Sequence, residues 1–350
     1  MLKRLIRDLA DRLDRLLLPL TSRSGLVASA HYLFLSRQFR REHRSVLAGR
    51  LAYERGLQSP LRSSPFLRRN VHRLEKGLVM QPRQAVFAED YIEETVAELA
   101  RLRVEGGLDP IEGKWATDVL AEYFQVVLTD TPPISRARAR FTESRPDPTG
   151  GHGPTWTPRA RAEGTASTTS YEQFLDLCHQ RRSVRWFEQR RVPADLVSKA
   201  LDAAAQAPSA CNRQPFLFRY FDDPADAHRV AAIAMGTTGY AQNIPAIVVL
   251  LGDLGCYPEE RDRHVAYIDA SLAAMQFMLA LETLGLASCP INWPDIEYRE
   301  RAMAEALDLP WHIRPVMLIA LGYADPQGGV PFSAKKPSQS LLRTSNDYTP

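Results

Sequence analysis

Residues 246–293 read AIVVLLGDLGCYPEERDRHVAYIDASLAAMQFMLALETLGLASCPINW, and the fold class turns on this stretch. Ala246–Leu251 is a continuous β-branched and aliphatic run, the pattern of a strand buried on both faces. From His264 to Leu284 small and large apolar residues recur at helical spacing, and Gly285 supplies a stop. Ser288–Asp295 ("SCPINWPD") then reads as a Pro-bracketed loop whose backbone could face a planar ligand.

Working outward, the same alternation continues. Ser170-Tyr171-Glu172-Gln173 has the form of a capping box opening a helix through His179. Pro193–Gln206 reads as a second helix with Leu196, Val197, Ala200, Leu201 and Ala204 on one face. Pro215–Phe221 and Pro315–Leu321 read as strands. Helices between buried strands define an α/β or α+β domain over residues 170–350. Upstream, residues 1–131 read as mainly helical, with helical pieces at Met1–Leu18, Ala28–Leu57, Asp90–Arg103 and Gly113–Thr129, punctuated by Pro60, Pro65 and Pro82. Residues 132–169 are rich in Pro, Gly, Arg, Ser and Thr and read as a flexible linker, too poor in bulky apolar residues to offset their ordering entropy.

The 350 residues are 45% hydrophobic and 24% charged, which fits a globular chain with an adequate core and excludes a disordered one. Cys178, Cys211, Cys256 and Cys289 form no Cys-x-x-Cys pair. That argues against a zinc site or disulfide framework and suits a reducing cytoplasm. Charge is uneven. Met1–Met80 holds 17 Lys+Arg against 6 Asp+Glu, leaving 27 against 35 in the remainder of totals of 44 and 41. A basic arm on an acidic body implies an anionic contact, such as a membrane surface at the inner face, or else a solvated helical region. No nucleic-acid partner is expected. Leu2, Leu5, Ile6, Leu9, Leu13, Leu16, Leu17 and Leu20 make Met1–Leu20 an amphipathic helix, suited to a membrane interface or to the protein's own body. No apolar run is expected to span a bilayer.

Gly-x-Gly-x-x-Gly after a strand, Walker, Gly-x-Ser-x-Gly and His-Glu-x-x-His patterns are missing, so kinase, hydrolase and zinc-enzyme readings lack their starting points. Polar clusters remain. Arg181-Arg182-Ser183-Val184-Arg185 follows a helix and offers guanidinium forks and a hydroxyl suited to a phosphate ester, although basic runs also complement helix C-termini. Ala207–Pro215 (APSACNRQP) is a loop bracketed by Pro208 and Pro215, in which Asn212 and Gln214 offer donors and acceptors. Lys335-Lys336 follow the last strand. His72, Glu75 and Lys76 read as a reactive cluster or as a charged helix face with i,i+3 and i,i+4 pairs.

Taken in order, RRSVRWF, APSACNRQPF, AIVVLL, DASLAAMQFMLALETLGLASCPINW, PVMLIALGYAD and the late basic pair resemble the nitroreductase family of FMN enzymes over about half the chain. The resemblance implies an α+β fold with a central, mostly antiparallel sheet flanked by helices, and a homodimer with two FMN sites at its interface. It implies an FMN-dependent oxidoreductase passing hydride between NAD(P)H and a small organic acceptor by a ping-pong mechanism. It places Arg181, Arg182, Ser183 and Arg185 on the FMN phosphate, ribityl chain and ring edge. Pro208, Ser209 and Ala210 would reach the partner subunit's flavin, with Asn212 and Gln214 orienting that loop or the ring. Pro290, Ile291 and Asn292 would cover the ring, a backbone N–H near Asn292 meeting N5, and Lys335 or Lys336 would meet the phosphate. No catalytic residue is assigned. Thr237, Thr238 and Asn243 are candidates for a further polar contact, none a clear match. Trp293 stands where the family often has glycine and would narrow the space over the ring. Residues 68–92 resemble an N-terminal extension of some bacterial nitroreductase-like proteins. Two other readings stand beside this one: a flavin-dependent dehydrogenase or oxidase of a specialised metabolite or peptide, and a membrane-peripheral, non-enzymatic protein with a vestigial flavin fold.

Overall fold

A computed structural model of the chain describes residues 16–56, 63–106, 108–144 and 154–342. The expected helix and membrane contact of Met1–Leu20 fall mostly on residues 1–15, outside the described residues.

A four-stranded antiparallel sheet lies at the centre of the C-terminal half, in the order β1 (Phe216–Phe221), β2 (Ala246–Asp253), β4 (Ile313–Gly322), β3 (Ala287–Asn292). β2 is buried along its whole length, as its aliphatic run requires. Side chains alternate between two cores. Ile247, Val249, Leu251 and Leu318 face α8 (Pro224–Ile233) and α10 (Glu297–Leu307). Val248, Leu250, Ile319 and Leu321 face α7 (Ala194–Ala204) and α9 (Val265–Thr283). The fold is thus α+β, with helices on both faces of the sheet. The capping box forms as expected: Ser170 and Gln173 each bond the other's backbone N–H and open α6 (Tyr171–Gln180). Helix α9 ends at Gly285, whose φ of +76° favours glycine. By length and composition alone, Glu260–Thr283 is apolar enough to cross a bilayer, against the expectation of none; Ala270, Ala273, Phe277 and Leu281 nevertheless bury one face of it in the core.

The expectation for residues 288–295 needs correction. Ser288–Asp295 is not simply a loop, because Ala287–Asn292 pair with Met317–Gly322 as strand β3. Pro290 is tolerated because β3 is an outer strand of the sheet. Pro315, which lies in β4 between two partners, is accommodated where the β2–β4 register shifts at Leu250/Leu251.

The N-terminal half builds its own core from α2 (Pro65–Leu78), α3 (Ile92–Glu105), α4 (Pro110–Val126) and α5 (Pro132–Ser144). Helix α5 falls inside the expected linker, with Ile134, Ala137 and Phe141 buried against the other three helices. Pro65, expected to punctuate the helical region, begins a helix, as do Pro110 and Pro132, because a missing N–H costs nothing at a helix start. Helix α1 (Arg40–Glu54) lies apart from that core and against the turn after β2. Gly49 permits this approach: a Cβ there would sit 2.7 Å from the Leu254 carbonyl oxygen.

Several arginines of the basic region meet the chain's own acidic body. Arg41 makes a bidentate pair with Glu297 (2.7 and 2.9 Å), Arg50 pairs with Glu260, and Arg44 stacks 3.6 Å over Trp311. The charge asymmetry is therefore partly neutralised within the chain.

Candidate active site

The segment after α6 crosses the sheet end beside β3. Ser183 and Ser288 form a parallel bridge, and the Val184 N–H donates to the Ser288 carbonyl at 3.1 Å. Further on, Glu188 N–H donates to Tyr323 O at 2.9 Å, and Asn243 clamps Phe187 by accepting its N–H (2.6 Å) and donating to its carbonyl (3.2 Å). This fixes where the arginines project. Arg181, Ser183 and Arg185 all act on Cys289, whose thiol is pushed up by burial and drawn back down by Arg185, Ser183 and Arg181. The Tyr240 hydroxyl, also pushed up by burial, faces Cys289 and Arg185, whose guanidinium carbon lies 5.9 Å from the Tyr240 ring centre. Burial likewise raises Glu282, on the last turn of α9, against the pull of Arg181.

Among the described residues, Arg181 Nε and Ser288 Oγ are buried with no hydrogen-bond partner. Other buried side-chain atoms elsewhere in the fold also lack partners, Arg213 Nε, Arg299 Nε and Arg314 Nε among them; at this corner the open pair is a guanidinium N–H and a hydroxyl, which have the chemistry to meet a polar ligand. Arg182 faces the other way, donating to the Pro331 carbonyl (2.8 Å) and to that of Phe332. That contact brings the C-terminal segment to this corner. Lys335 and Lys336 follow within about 15 Å of extended chain, both exposed and without a hydrogen-bond or ion-pair partner among the described residues.

The second expected cluster lies elsewhere. The Ala210 N–H donates to Asp269 Oδ2 on the first turns of α9 (2.9 Å), where the Tyr257 hydroxyl also donates (3.1 Å). Burial pushes the Asp269 carboxyl up, opposed by Ala210, Tyr257 and Arg213. Ser209 Oγ accepts the Gln214 N–H (3.0 Å), and the Gln214 side-chain amide donates to Asn212 Oδ1 (2.9 Å). Pro208 is exposed. Asp269 and Glu282 mark the two corners and stand thirteen residues apart on α9, roughly 20 Å along the axis. One chain therefore does not bring its two clusters together. Between them, Ile268, Leu272 and Met275 form an exposed apolar stripe at i, i+4, i+7 spacing.

On β3, Pro290 is half-buried, Ile291 points into the core and the Asn292 side chain is exposed. Trp293 is packed into the core rather than standing open at the end of β3. Its Nε1 donates to Glu300 at 2.7 Å. Of the further candidates, Thr237 is buried and bonds Ala231 O (2.9 Å), Asn243 is spent on Phe187, and Thr238 is exposed. His72, Glu75 and Trp115 form a structural set: Glu75 meets His72 Nδ1 at 3.3 Å and accepts from Trp115 Nε1 at 2.9 Å.

Sequence reading gives no role to Tyr240 or Asp269, and reaches Ser288 only as the first residue of the 288–295 segment. Asp269 carried a signal, being a lone acid within an otherwise apolar helix stretch. The others reach the site only through tertiary pairing.

A nitroreductase family model matches residues 179–250 and 241–323. An NADH dehydrogenase of Thermus thermophilus is 31% identical over 180 residues, covering 43% of this chain and 85% of that one. Iodotyrosine deiodinase 1 of Sus scrofa is 23% identical over 201 residues, covering 49% of this chain and 68% of that one. A solved FMN-dependent nitroreductase from Clostridium difficile aligns with 24% identity and a TM-score of 0.43, covering 49% of this chain and 99% of that one.

Proposed function

This chain belongs to the nitroreductase family and is an oxidoreductase, and from that premise we propose that it holds FMN between two copies of itself and passes hydride from NAD(P)H to a small organic acceptor. The observation that carries the reading is the cationic corner, where Arg181, Ser183 and Arg185 converge on the start of β3 beside the two orphaned polar atoms.

FMN, when bound, supplies the hydride chemistry, and the protein supplies grip, orientation and field. Arg181 and Ser183, with one of Lys335 and Lys336, would hold the phosphate and ribityl chain, while Arg182, expected there from the sequence, is engaged by the Pro331 and Phe332 carbonyls and would tether the segment that carries the lysines. Guanidinium forks match a dianion of several acceptor oxygens. Arg185, toward Tyr240, would favour negative charge at the ring edge. Pro290, Ile291 and Asn292 would form the floor, with a β3 backbone N–H turned to the ring.

A homodimer completes the arrangement. The roughly 20 Å between the two corners prevents one chain from surrounding a ring with both, whereas two copies packed across Ile268, Leu272 and Met275 could set the Pro208–Gln214 loop of one against the corner of the other. A single exposed face would then serve donor and acceptor in turn, which is the basis for a ping-pong order. A cytoplasmic location belongs to the same reading, since the donor is a cytoplasmic nicotinamide.

The test is an absorbance spectrum of the purified protein with added FMN, followed by anaerobic NADH or NADPH. A yellow protein bleached by either nicotinamide is expected. Joint replacement Arg181→Ala and Arg185→Ala should lower FMN affinity at least tenfold, as expected for lost charge-assisted bonds. A chain that stays colourless overturns the reading. Binding of FMN without bleaching by either nicotinamide would favour a dehydrogenase or oxidase of another substrate.

A further inference from the structure

The Pro208–Gln214 loop adopts a backbone that it does not stabilise alone. Cys211, Asn212 and Gln214 have φ of +53°, +52° and +50°. Side chains disfavour that region, and it persists only where the surroundings over-determine it. The C-terminal half grips the loop at its start, through Ala210 and Asp269. Its left-handed apex is gripped from the N-terminal half. Arg68 Nε on α2 donates to the Asn212 carbonyl at 2.8 Å, across 144 positions of sequence.

Arg68 is itself fixed. Its Nη1 lies 3.0 Å from Glu112 Oε2, and Glu112 is only 2% exposed. Glu112 also accepts the Ser64 N–H (3.0 Å) and the Ser63 hydroxyl (2.6 Å). Ser64 in turn caps α2 by accepting the Leu67 N–H at 3.2 Å. The rigid guanidinium fork therefore spans a buried carboxylate on one side and a strained carbonyl on the other, a geometry that a lysine ammonium does not reproduce.

We infer that Arg68 is a positioning residue for this loop, so that the N-terminal helical layer is part of the cofactor machinery rather than an appended domain. It acts through the Asn212 carbonyl and touches no reacting atom. Its link to FMN rests on the function proposed above; its link to the loop does not.

The test compares full-length Arg68→Gln and Arg68→Lys with the parent. Backbone hydrogen exchange is followed without cofactor, alongside FMN titration and thermal melting. In both variants exchange of the peptide over 208–216 should rise about tenfold, the scale of one lost charge-assisted bond, while sheet peptides keep their rates. The FMN dissociation constant should rise by a similar factor. Unchanged loop exchange in a folded variant overturns the inference. So does an equal rise in every peptide, or collapse of both variants, because either makes Arg68 a general staple. If the parent takes up no FMN, the proposed function fails, and the exchange contrast alone still decides the role of Arg68.

Discussion

Residues 288–292 and residues 208–214 are both expected to face the cofactor, yet they are held in different ways. The first segment is strand: Cys289 pairs with Ala320 and Ile291 with Leu318, in a regular ladder. Behind it Trp293 bonds Glu300, which meets the fully buried Arg314 at 3.1 Å. The second segment has no ladder. Left-handed residues are strung between Asp269 of the C-terminal half and Arg68 of the N-terminal half. A ladder makes position a property of the sheet. A strained loop makes position a property of whatever grips it, so residues remote in sequence can tune it.

The largest effect should come from the support behind the ladder. Arg314 Nη2 lies 2.9 Å from Asp295 and 3.1 Å from Glu300, and its Nη1 donates to Ser45 of α1 at 3.3 Å. Arg314→Ala leaves Glu300 buried, with Arg41 4.0 Å away as its nearest remaining cation. Breaking such a pair from one side costs about 3–5 kcal/mol, read as a lowered urea midpoint. A loss below about 1 kcal/mol, the scale of a surface pair, would mean that the strand side is not braced in this way.

A smaller and pH-dependent effect should mark the loop side. Burial raises the Asp269 carboxyl in the folded chain, against the Ala210 N–H and the Tyr257 hydroxyl. A carboxyl raised on folding favours the protonated form. Its contribution is therefore fully present below the unfolded value of about 3.9 and is lost as pH rises through the folded value. Asn carries no such proton. Urea unfolding of the parent and of Asp269→Asn across pH 4 to 7 should show the parent's relative stability falling as pH rises. A parallel pair of curves would mean that folding does not raise the Asp269 carboxyl.

The same contrast explains what could be read from the sequence. The ladder side was largely legible: the AIVVLL run, the helix ending at Gly285 and the PVMLIAL run all state their structure locally. Its errors were also local. Pro290 suggested a loop because a lone proline does not reveal that its strand lies at a sheet edge. That Trp293 is buried against Glu300 was not legible, because sequence does not say which way an indole points. The linker reading fails at 132–144 because averaged composition hides a short helix there, whose Ile134, Ala137 and Phe141 find a core to bury against. The loop side was legible only as a polar, Pro-bracketed segment. Arg68 and Glu112 looked like ordinary charges on basic or acidic helices, and their pairing with Asn212 depends on how two layers meet. The clustering of Arg181, Ser183 and Arg185 was visible, but not their alignment with β3 through the Ser183–Ser288 bridge.

The smallest effect is the sharpest comparison, because one substitution can be made in both segments. Cys289 is 1% exposed on the ladder, and Cys211 sits half-exposed at φ +53° in the loop. Cys289→Gly removes a packed side chain and loosens a strand. It should cost at least the 0.5–1 kcal/mol, roughly, that glycine costs in such an element, plus the lost burial. Cys211→Gly removes the Cβ that makes a left-handed residue unfavourable by about 1–2 kcal/mol. Against this stands the greater freedom glycine gives the unfolded chain, about 0.5–1 kcal/mol. The net should be stabilising by about 0–1.5 kcal/mol, a small rise in the urea midpoint. Opposite signs from the same chemical change would establish that one segment rests on its ladder and the other is held under strain. If Cys211→Gly instead destabilises as much as Cys289→Gly, the loop is not strained, and Arg68 has nothing to restrain there.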